Sequence, residues 1–211
     1  ILTLQKDFRQ LVKPHNDWFL SLDYNGAEVR TFIALAGEDQ PQEDVHQWHI
    51  KNLIQEELSR EDAKIQFFAW LYYHRAQVLD DWYDGEYIST PFERKIRVDK
   101  PKALNYLIQS TTADLVLDRA VVLDRFLEEH RSFVSHIVHD EIVIDLADDE
   151  RHLVPEIKEL FATNKLDRFL VNLMCGPNYL ELKELNLNLL SYPVLAGLPN
   201  SIPLDEVEVL A

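Results

Sequence analysis

Cysteine is almost missing from this chain of 211 residues, and its single copy, Cys175, excludes a disulfide bond within the chain. A lone thiol is typical of a reducing compartment, so we expect a cytoplasmic location and a structural role for Cys175. Long hydrophobic runs are missing too, because no stretch approaches the roughly eighteen apolar residues that a membrane-spanning helix needs. The N-terminal residues also lack the basic and apolar regions of a signal peptide.

Basic residues are in the minority, with 21 Lys and Arg against 37 Asp and Glu and a net charge of −16. This balance excludes a protein that coats nucleic acid indiscriminately, which would be basic overall. Residues 60–102 hold equal numbers of basic and acidic side chains, so the acidic excess lies outside them. This strip could accept an anionic ligand or be an ordinary mixed-charge surface. Apolar residues make up 46% of the chain, enough for the core of one domain or slightly more.

An apolar run before Asp23 predicts a buried strand over residues 17–24. A turn of small residues follows it, and then a helical pattern over residues 27–36 that Gly37 closes. A carboxylate at the tip of a buried strand is unfavourable unless it is paired or bound to a cation. Asp23 is therefore predicted either to cap the helix or to bind a metal ion.

A second helical pattern carries Arg60, Lys64, Phe68 and Tyr72 at intervals of four residues. Four-residue steps keep these side chains along one slowly turning stripe of a helix. The two cations suit phosphates, and the two aromatic rings suit a sugar and a base. The same pattern is also typical of a core helix with snorkelling cations, so both interpretations stay open at this point.

The remaining periodicity predicts alternating helices and strands. A long helix is predicted to place Asn105 and Gln109 on one face. Its predicted core face comprises Leu104, Leu107, Ile108, Leu115, Leu117, Val121, Val122 and Phe126. The other predicted elements are strands at 87–89 and 95–98, the long helix itself at 100–129, a hairpin at 133–146, a helix at 153–170, a strand at 171–174 and an irregular tail at 186–211.

Two buried strands are thus predicted to end in carboxylates, at Asp23 and at Asp140 in the bend of the hairpin. Two carboxylates that converge repel each other unless divalent cations lie between them, and oxygen ligands suit Mg²⁺ or Mn²⁺. A pair of such ions is a known solution for phosphoryl transfer. The residues alone therefore indicate nucleotidyl transfer or phosphodiester hydrolysis.

Four blocks, in this order, resemble motifs of the family A DNA polymerases, the bacterial DNA polymerase I type with its phage relatives. Residues 23–30, Asp-Tyr-Asn-Gly-Ala-Glu-Val-Arg, look like motif A, D-Y-S-Q-I-E-x-R. The stripe at residues 60–72 keeps every spacing of motif B, R-x3-K-x3-F-x3-Y. Residues 105–114 are similar to the family helix N-x3-Q-[GS]-T-x-A-D, and residues 138–141, Val-His-Asp-Glu, look like motif C.

The resemblance implies an α/β (α+β) fold: a polymerase palm with an antiparallel sheet backed by helices, and a reduced fingers subdomain. No thumb or exonuclease domain is expected. The implied divisions are palm at 1–42, reduced fingers at 43–92 with the motif B helix at 60–73, and palm with a C-terminal extension at 93–211. Two departures from the motifs stand out: Asn25-Gly26-Ala27 replaces Ser-Gln-Ile, and Tyr73 replaces the usual Gly.

The resemblance also implies the role of each residue in template-directed DNA synthesis. Asp23, Asp140, Lys64 and Glu141 would be catalytic, with Asp23, Asp140 and the Tyr24 carbonyl as metal ligands. The incoming dNTP would be bound by Arg60, Lys64, Phe68, Tyr72 and Glu28, with Glu28 excluding a ribose 2′-hydroxyl. Primer–template DNA would contact Asn105, Gln109 and His139.

The implied cofactor is a pair of Mg²⁺ ions, with Mn²⁺ as a substitute, and the implied partners are primer–template DNA and dNTPs. No membrane partner is expected, a separate chain or segment could supply the thumb, and the expected location is the cytoplasm of a bacterium or a phage-infected cell. Two alternatives to a polymerase stay open. One is a non-catalytic primer–template-binding fragment or subunit of a split polymerase. The other is a two-metal nuclease, which Arg60 and Lys64 disfavour because a nuclease needs no triphosphate clamp.

Overall fold

The computed structural model of the chain describes residues 5–45, 48, 76–185 and 187. The motif B stripe at 60–72 and most of the predicted tail lie outside these residues. The described elements are, in chain order, a 3₁₀ helix (Lys6–Leu11), β1 (Trp18–Tyr24), α1 (Ala27–Leu35), β2 (Tyr87–Ser89), β3 (Lys95–Arg97), α2 (Lys100–Phe126), β4 (Phe133–Val138), β5 (Glu141–Leu146), a second 3₁₀ helix (Asp148–Leu153), α3 (Val154–Ala162), β6 (Val171–Gly176) and β7 (Lys183–Glu184).

Five strands form one sheet in the order β4-β5-β1-β6-β7, and β2 and β3 form a separate two-stranded hairpin. β5 runs antiparallel to both of its neighbours, β1 and β4, and β6 runs antiparallel to β7. Strand β1 therefore lies in the middle of the sheet, between two strands that come much later in the chain. This mixed α+β architecture, with an antiparallel sheet backed by helices, confirms the predicted fold class.

The register of β1 and β5 gives the sheet one apolar face. Leu20 lies opposite Ile144 and Leu22 opposite Ile142, and all four side chains are fully buried. Each such burial contributes about 2 kcal/mol of hydrophobic free energy. Because successive side chains of a strand point to opposite faces, the residues between them, together with Asp23, face the other way. The packing of Leu20 and Leu22 thus determines that Ser21 and Asp23 lie on the opposite face of β1.

The chain divides into two compact units, which are described separately here. The sheet unit comprises Ile1–Asp23, Ala120–Phe161 and Val171–Ala211, and the helix unit comprises Tyr24–Arg119 and Ala162–Leu170. The sheet unit contains a small hydrophobic cluster of Phe19, Val143 and Tyr179, in which Phe19 and Val143 lie on the face opposite Leu20 and Leu22. The larger cluster of the helix unit contains Phe32, Leu35, Val78, Leu79, Ile88, Ala103, Leu104, Leu107 and Ile108. The division into palm and fingers at residues 42 and 92 stays a prediction.

Glycines flank helix α1, and Gly37 closes it as the sequence predicts. Gly37 has a φ of 73°, and its N–H donates to the Ala34 carbonyl while the next N–H donates to Ile33. These two bonds form a Schellman motif, which satisfies the last carbonyls of the helix. At the other end, Gly26 is the N-cap residue with a φ of 70°. Its left-handed conformation explains why Gly stands at a position where the motif has Gln.

Arg30 of α1 is fully buried and connects this helix to the following loop. Its Nε donates to the Asn25 carbonyl at 2.7 Å, Nη1 to the Pro41 carbonyl at 2.8 Å and Nη2 to the Glu43 carbonyl at 2.9 Å. Burial lowers the pKa of Arg30 to about 10, a shift that Asp44 opposes. The guanidinium is therefore still charged at neutral pH, and its three carbonyl partners tie the residue before α1 to the loop after it.

The predicted helix at 153–170 is wrong in its C-terminal half. Helix α3 ends at Ala162, and the residues after it form a turn around Asn164. The Asn164 side-chain oxygen accepts hydrogen bonds from the backbone N–H groups of Leu166 at 2.9 Å and Asp167 at 3.2 Å. A short polar side chain that bonds its own downstream backbone competes with the helix, which explains the early end.

The predicted core face of the long helix is also partly wrong. In α2, Leu117 and Val121 are 52% and 49% exposed, whereas Val116, Leu123 and Leu127 near the same part of the chain are buried. The buried stripe of α2 therefore lies one residue away from the predicted one in this region. Among the helices that the structure describes, none is both long and apolar enough to cross a membrane.

A tight turn follows β6 and brings the chain back toward the sheet. Asn178 organises it, because its side-chain oxygen accepts the N–H groups of Leu180 and Glu181, each at 3.0 Å. Gly176 lies against the returning chain, where a Cβ atom would sit 2.2 Å from the Glu181 carbonyl oxygen. The turn therefore requires glycine at 176, and it holds Tyr179 in place.

Replacement of Arg30 by Lys should destabilise the fold by about 3 kcal/mol, because a single ammonium group cannot reach the separated carbonyls that the guanidinium binds. Arg97→Lys is the matched control, since the Arg97 side chain is 75% exposed and pairs with Glu86 at the surface. Urea unfolding followed by circular dichroism measures both variants. Equal stabilities for Arg30→Lys and Arg97→Lys would contradict the structural role of Arg30.

Candidate active site

Three carboxylates come together at one end of the sheet unit. The antiparallel pairing of β1 and β5 places Asp23 directly opposite Glu141. Asp140 precedes Glu141 in the two-residue turn between β4 and β5, and His139, the other turn residue, has a φ of 58°. A left-handed conformation is uncommon in residues other than glycine, although His tolerates it better than bulky side chains. The register and the turn together bring the two predicted catalytic aspartates next to each other.

The strand that precedes Asp140 differs from the prediction. Strand β4 is at the edge of the sheet, and its side chains alternate between exposed and half-buried. The buried strand is β5, which begins immediately after Asp140. Asp140 therefore lies at the start of a buried strand rather than at the tip of one.

The electrostatics of Asp23 are unfavourable for an ionised carboxylate. The pKa of Asp23 is raised from its ordinary value of 3.8 to about 6. Burial is the largest cause of this rise, and the negative charges of Asp140 and Glu141 also contribute to it. A hydrogen bond with the side chain of Asn172, on β6, partly opposes them. A carboxylate that like charges destabilise is a favourable ligand for a cation, which would remove the repulsion.

Glu141 differs from the two aspartates because hydroxyl groups hold both of its oxygens. The Ser21 hydroxyl donates to Oε1 at 2.6 Å, and the Tyr179 hydroxyl donates to Oε2 at 2.7 Å. Burial and the neighbouring Glu141 both raise the pKa of the Tyr179 phenol, so this group stays protonated and donates. Glu141 is thus fixed in orientation beside Asp23.

Asp23 does not serve as the cap of α1. The N-cap position of this helix belongs to Gly26, and no side chain in the part of the chain that the structure describes makes the N-cap hydrogen bond. The capping interpretation of Asp23 is therefore not supported. Instead, Asn25 holds the start of α1 to the following loop: its side chain donates to Asp44 at 2.8 Å and accepts the N–H of Val45 at 3.1 Å.

The other predicted site residues fall into three groups. His139 is exposed beside Asp140 in the sheet unit. In the helix unit, Tyr24 is buried with its ring against Phe169 at 5.4 Å between centroids. The predicted residues Glu28, Asn105 and Gln109 also belong to the helix unit, and all three are exposed. Arg60, Lys64, Phe68 and Tyr72 lie outside the described residues.

Three polar residues of this site were missed by the sequence interpretation: Ser21, Asn172 and Tyr179. Ser21 had a usable signal, because it stands two residues before Asp23 and so shares its face of β1. Asn172 also lies on a predicted strand, but its neighbour in the sheet could not be known. Tyr179 carries no signal, since the turn after β6 determines where its ring packs.

The donor set is compatible with a divalent cation that also binds a phosphate. Within residues 5–45, 48, 76–185 and 187, no group of three or more His, Cys, Asp or Glu side chains forms a ready-made metal cage. Mg²⁺ does not need such a cage, because proteins commonly bind it with one or two carboxylates and complete its coordination with water and substrate phosphates. Asp23 and Asp140 fit that requirement, and their mutual repulsion favours a cation between them.

A comparison with solved structures supports the architecture. The fold is similar to that of the POL domain of Pol1 from M. smegmatis, solved in complex with DNA primer-template and dNTP, with a TM-score of 0.60 and 19% sequence identity. The match covers 84% of this chain and 43% of the other, so the chain spans less than half the length of that protein. The antiparallel sheet backed by helices is thus a polymerase palm-like fold.

No protein-family model and no curated protein sequence matches the chain.

The unfavourable charge of Asp23 predicts that Asp23→Asn stabilises the fold at neutral pH. The folded wild-type chain binds a proton at Asp23 more tightly than the unfolded chain does. Its stability should therefore fall as the pH rises from about 4 through about 6. Allowing for partial solvent screening, Asn should gain about 1 kcal/mol over Asp at pH 8 and little at pH 4.

Urea unfolding at both pH values tests this difference. The matched control is Asp124→Asn, which makes the same change at an exposed aspartate of α2. If Asp23→Asn is no better relative to the wild type at pH 8 than at pH 4, burial and the neighbouring charges do not disfavour ionised Asp23.

Proposed function

We propose that this chain is the catalytic part of a template-directed DNA polymerase. It would transfer the nucleotidyl group of a dNTP to the 3′-hydroxyl of a primer. The observation that carries the proposal is the convergence of Asp23, Asp140 and Glu141 at the end of the sheet, where burial and the two like charges disfavour ionised Asp23. The similarity of the fold to a polymerase domain supports it, as does the order of the four motif-like blocks.

Asp23 and Asp140 would hold divalent cations, Mg²⁺ or in its place Mn²⁺, together with the backbone carbonyl of Tyr24. When bound, such ions stabilise the charge on the attacking and leaving oxygens of an in-line phosphoryl displacement. The sheet contributes by fixing Asp23 opposite Glu141, so that no reorganisation is needed when substrate binds.

The helix unit would contribute substrate recognition. Glu28 is exposed in the first turn of α1, where it would exclude a ribose 2′-hydroxyl. Asn105 and Gln109 are one helical turn apart on the exposed side of α2, where they would contact primer–template DNA. Arg60, Lys64, Phe68 and Tyr72 would bind the triphosphate, sugar and base of the dNTP, with Lys64 as a general acid. This assignment rests on the resemblance of these four residues to motif B.

Primer extension with Mg²⁺ and dNTPs tests the proposal. Asp23→Asn and Asp140→Asn should each lower the extension rate about a thousandfold, because each removes a charge that several kcal/mol of transition-state stabilisation would depend on. Asp124→Asn, the same change at an exposed position of α2, should extend like the wild type.

The same assay separates the alternatives. A folded wild-type chain that binds primer–template but adds no nucleotide at high protein concentration and low salt would instead be a non-catalytic fragment or a subunit of a split polymerase. Degradation of DNA without dNTPs would indicate a nuclease. Extension that survives Asp140→Asn would refute the assignment of the site.

Replacement of Glu28 by Ala should increase incorporation of ribonucleotides relative to deoxyribonucleotides by about tenfold, because a missing side chain leaves room for the 2′-hydroxyl. The matched control is Glu156→Ala, since Glu156 is likewise an exposed glutamate in the first turn of a helix, α3. Competition between the two kinds of nucleotide in primer extension gives the ratio. An unchanged ratio for Glu28→Ala would remove its role in sugar selection.

A further inference from the structure

The three carboxylates of the site are not equivalent, because only Glu141 has both oxygens engaged by hydroxyl donors. Ser21 reaches Oε1 from β1, and Tyr179 reaches Oε2 from the turn after β6. To turn toward a cation, Glu141 would have to leave two largely buried hydroxyl groups without their acceptor. An unsatisfied buried donor is unfavourable, so the observed orientation is strongly preferred.

We propose that Ser21 and Tyr179 are positioning residues that hold Glu141 as a fixed negative charge beside the metal-binding site. Asp23 and Asp140 are then the side chains that contact the cation, while Glu141 attracts it without occupying a coordination position. This inference rests on the proposed function of the site. It assigns roles to Ser21 and Tyr179, which lie outside the four motif-like blocks.

The Tyr179 side chain can act in this way because its own position is fixed on every side. Its backbone N–H donates to the Val12 carbonyl at 3.0 Å, and its ring is only 7% exposed. The ring packs edge-to-face on Phe19 at 6.5 Å and near His136 at 5.3 Å between centroids. The Arg9 guanidinium lies 5.6 Å from its centroid. A donor held this firmly loses little conformational entropy when it binds Glu141.

Ser21 gives the second, independent constraint. It is 2% exposed and lies on the same face of β1 as Asp23, two residues away. Its hydroxyl is carried by the central strand of the sheet, so the distance between Glu141 and Asp23 is set by strand pairing rather than by a flexible loop. Two rigid donors from different segments leave the Glu141 carboxylate with a single orientation.

Binding of Mn²⁺ to the 211-residue chain without DNA tests the inference, with free Mn²⁺ measured by electron paramagnetic resonance. Tyr179→Phe keeps the ring and removes the donor, and Ser21→Ala removes the other donor. Each should weaken Mn²⁺ binding about tenfold, as is usual when a partner of a metal-site residue is lost. Tyr83→Phe is the matched control, because its hydroxyl bonds the Gly85 carbonyl at 2.7 Å in the helix unit.

A double-mutant cycle distinguishes positioning from a general structural role. Glu141→Gln removes the charge that Tyr179 is inferred to position. In that background, Tyr179→Phe should change Mn²⁺ affinity less than twofold, whereas a merely structural Tyr179 would weaken binding equally in both backgrounds. Thermal unfolding of each variant verifies that the fold is retained. If Tyr179→Phe and Ser21→Ala, both folded, bind Mn²⁺ like the wild type, the inference is overturned.

Its failure is distinguishable from failure of the proposed function. Loss of Mn²⁺ binding in Asp23→Asn, together with normal binding in Tyr179→Phe and Ser21→Ala, refutes only the positioning role. Binding that depends on Tyr179 in a chain that extends no primer supports the positioning role and refutes the polymerase. A wild-type chain that binds no Mn²⁺ overturns the inference together with the metal assignment.

Discussion

A carboxylate that is buried beside two like charges at the end of a β-sheet is the constraint around which this molecule is arranged. Asp23, Asp140 and Glu141 would separate in water, and ionised Asp23 is disfavoured in the fold. The pairing of β1 with β5 keeps them together, because a shift of one residue would move every side chain of β1 to the other face. The buried leucines and isoleucines that lock this register therefore also maintain the electrostatic strain.

The two faces of β1 contribute differently: one packs in the core, and the other carries the carboxylate of the candidate site. Leu20 and Leu22 lie in the core, where the free energy of their burial stabilises the strand that carries Asp23. On the opposite face, Ser21 and Asp23 are polar in an otherwise apolar strand. A protein that holds charges in an unfavourable arrangement can meet a ligand without first rearranging, and this advantage comes at the expense of stability.

Much of this arrangement was predictable from local sequence. The apolar run before Asp23, the glycine after α1 and the alternating residues on both sides of Asp140 gave nearly correct bounds for β1, α1 and the hairpin. These signals are short-range, since turn chemistry and hydrophobic periodicity act within a few residues. They were sufficient to identify two of the three site carboxylates as a pair.

Long-range contacts explain what could not be predicted. Tyr179 reaches Glu141 across 38 residues of sequence, through a turn whose shape depends on Asn178. Arg30 was recognised only as part of a motif, and its burial against three carbonyls has no sequence signature. The errors at Leu117 and after Ala162 have local causes: a helix whose buried stripe drifts and an asparagine that bonds its own backbone.

Gly176 shows how narrowly the site is specified. The absence of a side chain there lets the chain fold back until the Glu181 carbonyl occupies the space of a Cβ atom. Every other amino acid would force the turn apart, and Tyr179 lies on that turn. Fewer substitutions are therefore tolerated than the residues of the site alone would indicate. An alanine at position 176 would displace Tyr179 and so disturb the Glu141 carboxylate beside Asp23. The residues that this candidate site constrains therefore include one whose contribution is the absence of a Cβ atom.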